Sequence, residues 1–214
     1  MKELDHQFAY WNSAGTQKTF GHPLNLQRVG RWLSPDSRIL DFGCGYGRCL
    51  GELFNSGYRN LIGFDFSPAM VATARTRFPE ITFQETQPSI ILLPDTSVDG
   101  ALLLSVLTCV PTDDGQRAIL RELQRVLRPG GLLYISDLWL QADERNLARY
   151  ARDEAKYGIY GVFDLPEGVT VRHHDPKWID TLTRDFTMAA LDQIEVVTMN
   201  GNPAKAFQWF GLKR

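Results

Sequence analysis

The stretch Ile39-Leu40-Asp41-Phe42-Gly43-Cys44-Gly45-Tyr46-Gly47 runs an apolar segment into three alternating glycines. Glycine at such a bend accepts positive φ and lets a ligand lie directly on the backbone, as a bulky nucleoside requires. The Gly-x-Gly-x-Gly spacing departs from the Gly-x-Gly-x-x-Gly of dinucleotide folds, so a diphosphate is not the expected ligand. Gly63-Phe64-Asp65 sets a carboxylate 24 residues after Asp41, where it can accept hydrogen bonds from both hydroxyls of a ribose. His173-His174-Asp175 offers two imidazoles and a carboxylate. Neighbours on an extended stretch point opposite ways, so no metal site is expected there, while one imidazole can serve as a base. Cys44 and Cys49 read as small buried hydrophobes. Cys109 has no lysine or arginine beside it to lower the thiol pKa and is expected to pack rather than attack.

These residues need elements to hold them. From residue 38 onward, short apolar runs alternate with longer amphipathic ones, the pattern of strand-helix-strand units building a parallel sheet. Strands are expected over 38–42, 61–64, 81–84, 100–104 and 132–136. A helix follows Gly47 and stops at Gly57. The next has Ser67 as N-cap, Pro68 at its first position and Pro79 beyond its end. A third starts near Thr112, presents Ile119, Leu120, Leu123, Val126 and Leu127 at helical spacing, and ends at Arg128-Pro129-Gly130-Gly131. A leading helix is expected over 23–33. Residues 138–175 form a long insertion with a polar helix over about 143–156 and then a loop without strong period, a size that suggests a lid. A helix from Asp175-Pro176 to about Phe186 and a hairpin of 194–199 with 206–211 close the chain.

With 214 residues the chain fits one domain. Its 23 basic and 25 acidic residues leave a formal charge of -2, so no global positive field draws a nucleic acid or an anionic membrane. Three cysteines are too few for a disulfide scaffold, no stretch approaches 18 apolar residues, and residues 1–6 lack the pattern of a signal peptide. A cytoplasmic protein is expected, with a small-molecule partner and no nucleic acid or membrane.

The segments Asp41-Phe42-Gly43-Cys44-Gly45-Tyr46-Gly47, Gly63-Phe64-Asp65-Phe66-Ser67-Pro68-Ala69-Met70 and Leu127-Arg128-Pro129-Gly130-Gly131 resemble the first motif, the ribose segment and the turn before strand five of the class I S-adenosylmethionine-dependent methyltransferases. The resemblance covers residues 37–137 strongly and the closing hairpin loosely. It implies an α/β doubly wound, seven-stranded, mostly parallel sheet whose last strand is antiparallel. It divides the chain 1–214 into an N-terminal cover (1–36), a cofactor-binding core (37–137), the lid (138–175) and a closing helix and hairpin (176–214). It implies S-adenosylmethionine as cofactor and S-adenosylhomocysteine as product. Gly43, Cys44, Gly45 and Gly47 would cradle the methionine part, Asp41 orient its amino end, Asp65 hold the ribose, Phe66 and Met70 flank the adenine, and Ser105 complete the set. Many relatives carry an Asp for the adenine amine after strand three, whereas this chain reads Gln84-Glu85-Thr86-Gln87. The acceptor pocket is expected from Tyr10, Trp11, Tyr157, Tyr160, His173 and His174, with His173 or His174 as base. Methyl transfer to O, N or S of a small molecule is the activity implied. A macromolecular methyltransferase, a nicotinamide oxidoreductase and a cofactor-binding module without catalysis are the rivals.

Overall fold

A computed structural model describes residues 3–5, 7–13 and 17–214. Part of the expected N-terminal cover, residues 1, 2, 6 and 14–16, lies outside the described residues. In chain order the elements are α1 (Phe8–Trp11), α2 (Leu26–Val29), β1 (Ile39–Phe42), α3 (Arg48–Asn55), β2 (Leu61–Asp65), α4 (Pro68–Arg77), β3 (Thr82–Glu85), β4 (Val98–Leu104), α5 (Asp113–Val126), β5 (Leu127–Leu138), α6 (Glu144–Tyr157), β6 (Val162–Asp164), β7 (Thr170–Arg172), α7 (Pro176–Leu182), β8 (Phe186–Val197) and β9 (Pro203–Lys213). Seven strands form one sheet in the order β3-β2-β1-β4-β5-β9-β8, while β6 and β7 pair separately. β1 to β5 run parallel, and β9 lies antiparallel between β5 and β8.

Strand residues alternate between two buried faces, which is why the central strands read as unbroken apolar runs. Leu40, Phe42, Ala101 and Leu103 pack with Ile119, Leu120 and Leu123 of α5 and Ile179 of α7. Ile39, Leu102 and Leu104 pack on the other side with Leu50 and Leu53 of α3 and Val71 and Ala74 of α4. A third cluster joins Tyr10 and Trp11 of α1 to Tyr150, Phe163, Val169 and Val171 of the insertion. The insertion is therefore anchored by a core of its own.

Several expected boundaries move. The leading helix shrinks from 23–33 to Leu26–Val29, because Pro23 turns its carbonyl to Tyr134 Oη and Gln208 Nε2 instead of to a helical N–H. The turn 128–131 does not precede strand five but interrupts it: Leu127 pairs with Val98, and pairing resumes at Leu132 with Gly100 after a register shift. The loop expected around Pro166 and Gly168 is the β6–β7 hairpin. The last helix ends at Leu182 rather than Phe186, and the closing hairpin is far longer than the two apolar runs. β8 is an edge strand whose residues are largely exposed, so its first half carries little of the apolar signal by which strands are read.

Candidate active site

The glycine loop joins β1 to α3 with Gly43, Gly45 and Gly47 at φ +72°, +53° and +81°. Phe64 O at the end of β2 accepts hydrogen bonds from Gly43 N at 2.7 Å and Cys44 N at 3.1 Å, fixing the loop against the neighbouring strand. The loop is tied in turn to Asp65, whose two oxygens accept from Gly45 N at 2.9 Å and Ser67 N at 2.8 Å. A carboxylate has about four acceptor positions, so acceptor capacity remains for a ligand. Burial pushes the Asp65 pKa up while the backbone N–H groups pull it back down. Asp41, 2% exposed, makes no side-chain hydrogen bond among the described residues. Burial raises its pKa to about 7, with Arg48 opposing and Asp65 adding to the rise.

Asp41, Gly43, Cys44, Gly45, Asp65 and Phe66 line one cleft with Met70 and Ser105, around about 690 Å³ of space open to solvent. At Gly45 an added Cβ would meet nothing nearer than Met70 Sδ at 4.0 Å, so the side of the loop that a side chain would occupy is empty. Gly47, by contrast, is absent from the lining. A Cβ there would lie 2.8 Å from Phe83, so this glycine lets the loop close on the aromatic side chains behind it. Thr86 and Gln87, where the acidic adenine partner is missing, border a smaller pocket that also touches Asp65 and Phe66.

A second cavity, about 770 Å³, lies beside the first and shares Trp11, Phe20, Ser105 and Cys109 with it. The insertion supplies Arg145, Arg149, Phe163 and His173, and the β8–β9 turn supplies Thr198 to Asn202. Ser105 stands at the shared wall with φ +59°, and its buried hydroxyl has no hydrogen-bond partner among the described residues. A left-handed conformation at a non-glycine residue is a strained state that functional sites often hold. Cys109 donates its S–H to Ser105 O at 3.3 Å, and burial holds its thiol pKa well above the usual value.

Of the six residues expected around the acceptor, the structure brings Trp11 and His173 to this cavity and leaves four outside its lining. Tyr10 packs edge-on against Trp11 at 4.9 Å. Tyr157 Oη donates to Asp164 Oδ1 at 2.5 Å, tying α6 to β6. Tyr160 is 43% exposed and packs on Tyr150. His174 is fully buried, with Nδ1–H donating to Leu138 O at 3.1 Å and Nε2 accepting from Gln116 Nε2 at 3.0 Å. Both ring nitrogens are occupied, so the expectation of His174 as a base is corrected to a core contact. His173 is corrected for a different reason. Tyr150 Oη accepts from Gln141 N at 3.1 Å, and this fully buried hydroxyl places its own hydrogen on His173 Nδ1 at 2.5 Å. The imidazole then carries its proton on Nε2 and is a donor, and burial lowers its pKa to about 3. Asp175 accepts from Lys177 N at 2.7 Å as the N-cap of α7. Among the described residues no group of three or more His, Cys, Asp or Glu is placed to hold a metal ion, and no helix is long and apolar enough to cross a membrane.

Sequence reasoning missed Thr108, Arg149 and the β8–β9 turn as parts of the cavity wall, which Phe20 of the N-terminal aromatic segment joins. His22 also lines it, with Nδ1 2.9 Å from Ser136 Oγ, and burial together with Arg48 lowers its pKa to about 4. Only spacing along a known fold could have signalled these residues, because they come from four separate segments.

A family model described as a methyltransferase domain matches residues 39–131. The O-methyltransferase rstn1 of Aspergillus nomiae is 30% identical over 172 residues, spanning 74% of this chain and 72% of that protein. An eEF1A lysine and N-terminal methyltransferase homolog of Drosophila pseudoobscura is 27% identical over 62% of this chain, and the match spans 22% of its length. The chain likewise spans only 57% of the O-methyltransferase resE of Aspergillus sclerotiorum. Among solved structures, a SAM-dependent methyltransferase of Methanosarcina mazei superposes with TM-score 0.82 at 26% identity, covering 87% of this chain and 96% of that one.

Proposed function

Because the chain belongs to the class I S-adenosylmethionine-dependent methyltransferases, we propose that it transfers a methyl group to an O, N or S atom of a small-molecule acceptor. The observation that carries the reading is the wall of Trp11, Phe20, Ser105 and Cys109 common to the two cavities, since ligands on its two sides meet there.

The residues of the first cleft fit the cofactor. Asp41 is a buried acid without a side-chain hydrogen bond among the described residues, suited to an ammonium group. Asp65 keeps acceptor capacity for the ribose hydroxyls, the empty face of Gly45 admits a ligand against the backbone, and Phe66 and Met70 offer apolar surface for a purine. When bound, the sulfonium supplies an electrophilic methyl. The protein's part is to hold an acceptor lone pair in line with it and to keep water out, so positioning supplies much of the acceleration. With His173 acting as a donor and His174 locked in the core, His22 is the lining imidazole left to receive a proton, and it is neutral near pH 7. A pKa near 4 makes it a weak base, which favours acceptors that react without losing a proton in the transition state or that are already ionised.

Relatives named for protein substrates give the alternative reading. It is weighed down by the small share of the Drosophila pseudoobscura relative's own length, 22%, that the match spans and by a cavity with walls from four segments. Incubating the protein with methyl-tritiated S-adenosylmethionine and a cell extract separates the two. Label in the solvent-extractable small-molecule fraction is expected, and label confined to acid-precipitable protein overturns the proposal.

A further inference from the structure

The second cavity has a one-sided charge. Arg145 and Arg149 line it beside the neutral imidazoles of His22 and His173, and among its described lining residues there is no aspartate or glutamate. Arg145 is already engaged, donating to Asn202 Oδ1 and lying 3.8 Å from Asp143. Arg149 is not. It makes no ion pair among the described residues, and its one hydrogen bond is a long one to Asn146 Oδ1 at 3.4 Å. Its guanidinium carbon sits 5.4 Å from the centre of the Phe163 ring, a placement that holds the fork in position without neutralising it. Asp143, the carboxylate that acts on it, is turned to the start of α6, where it accepts from Asn146 N at 3.2 Å and Asn146 Nδ2 at 2.6 Å. Arg145 and Arg152 flank Arg149 with like charge, which together with burial lowers its pKa.

A second donor without a protein acceptor stands in the same wall. With the buried Tyr150 hydroxyl taken as the donor to His173 Nδ1, the imidazole proton is assigned to Nε2, and no described residue accepts from that Nε2–H. The rest of the insertion's contribution is apolar: Phe163, Leu165 and Val171. A partly desolvated guanidinium without a counter-ion beside a neutral N–H donor and an apolar wall is the arrangement that recognises a carboxylate on an apolar body, because the fork of arginine matches the two carboxylate oxygens.

We propose that the methyl acceptor is a small, largely apolar molecule bearing a carboxylate, held by Arg149 and His173 Nε2–H, with its body against Phe163, Leu165 and Val171 and its methylated atom toward Ser105 and Cys109. The inference rests on the methyl-transfer reading and names the acceptor class for the same site.

The test uses the full chain loaded with S-adenosylhomocysteine. A panel of hydroxylated one- and two-ring aryl carboxylic acids is titrated by calorimetry, each beside its carboxamide, which keeps the shape and removes the charge. At least one acid should bind tenfold or more tightly than its amide. In Arg149→Gln that preference should fall to within about twofold while the affinity for S-adenosylhomocysteine is unchanged. Arg149→Lys, which keeps the charge and loses the fork, should fall between. Acids and amides binding alike, no acid binding at all, or a preference that survives Arg149→Gln overturns the inference and leaves methyl transfer standing. Failure of the wild-type protein to bind S-adenosylhomocysteine overturns the methyl-transfer reading, and the inference with it.

Discussion

Asp41→Asn should make the ligand-free protein more stable and the cofactor complex weaker, and the two effects should follow pH in a set way. An aspartate of ordinary pKa 3.8 raised to about 7 in the folded chain binds a proton more tightly when folded than when unfolded. Stability from this group is therefore fully present below about pH 4, is lost progressively as the pH rises, and is gone above about 7. A shift of roughly three units at about 1.4 kcal/mol each sets a ceiling of about 4 kcal/mol on the cost of the ionised form. Asparagine carries no charge but also lacks hydrogen-bond partners at this position, so about half the ceiling, roughly 2 kcal/mol, is the expected gain above pH 7. For a chain of this size that corresponds to a rise in Tm of about 4–8 °C. Thermal unfolding followed by circular dichroism at pH 5 and pH 8, without ligand, measures it. The gain should be large at pH 8 and small at pH 5. Asp137, also raised to about 7 by burial, leaves the variant with a residual pH dependence of the same sign. Calorimetry with S-adenosylhomocysteine at pH 8 should show a loss of about 2–3 kcal/mol in binding, since the ammonium group loses its buried counter-ion. The loss should shrink at pH 5.5, where the wild-type carboxyl is itself protonated. Equal Tm values at pH 8, or equal affinities there, would refute the assignment of Asp41 to the cofactor's amino end.

Two further substitutions separate binding from packing. Gly45→Val should abolish S-adenosylhomocysteine binding by calorimetry, because φ +53° disfavours a β-branched residue and its side chain would enter the empty face of the loop. His174→Ala should lower stability to denaturant by about 2–4 kcal/mol, since it leaves a cavity in a closed core and removes the ring's hydrogen bonds to Gln116 Nε2 and Leu138 O, although Gln116 keeps Leu107 O and Val110 O and Leu138 O keeps the backbone N–H of residue 174. The affinity of that variant for S-adenosylhomocysteine should stay within about threefold of wild type.

The glycine loop and its carboxylate were legible in the chain because their residues are contiguous and stereochemically unusual. Three glycines in a row of nine residues and one carboxylate at the next strand end are local signals, and the structure shows why: positive φ at the loop and two backbone N–H groups on Asp65. Gly47 shows the limit of that legibility, since the spacing cannot tell a glycine that admits a ligand from one that admits Phe83. The acceptor half was harder to read. Whether His173 or His174 can take a proton depends on Tyr150, Gln141 and Gln116, partners that lie 23, 32 and 58 residues away in the chain or close by only through folding. Composition pointed to the tyrosines of the insertion, yet Tyr157 and Tyr160 bind α6 to its own surroundings while the nearby Arg149 lines the cavity. The long hairpin was read short for a similar reason: edge strand β8 is paired on one side only and is largely exposed, so half of it lacks the apolar pattern.

The β8–β9 turn reaching into the acceptor wall divides the molecule into two heritable parts. The methyltransferase domain match spans residues 39–131, and the insertion, the β8–β9 turn and the strap from Phe20 to His22, which give the second cavity its distinctive face, all lie outside it. Surface turns accept changes in length and sequence that a buried strand would reject. Descent can therefore alter the acceptor by editing a hairpin tip and one helix face while the donor site stays fixed by the sheet. On the proposed function, the part that matches the family sets the reaction, and residues 138–174 and 197–204 would set which molecule receives the methyl.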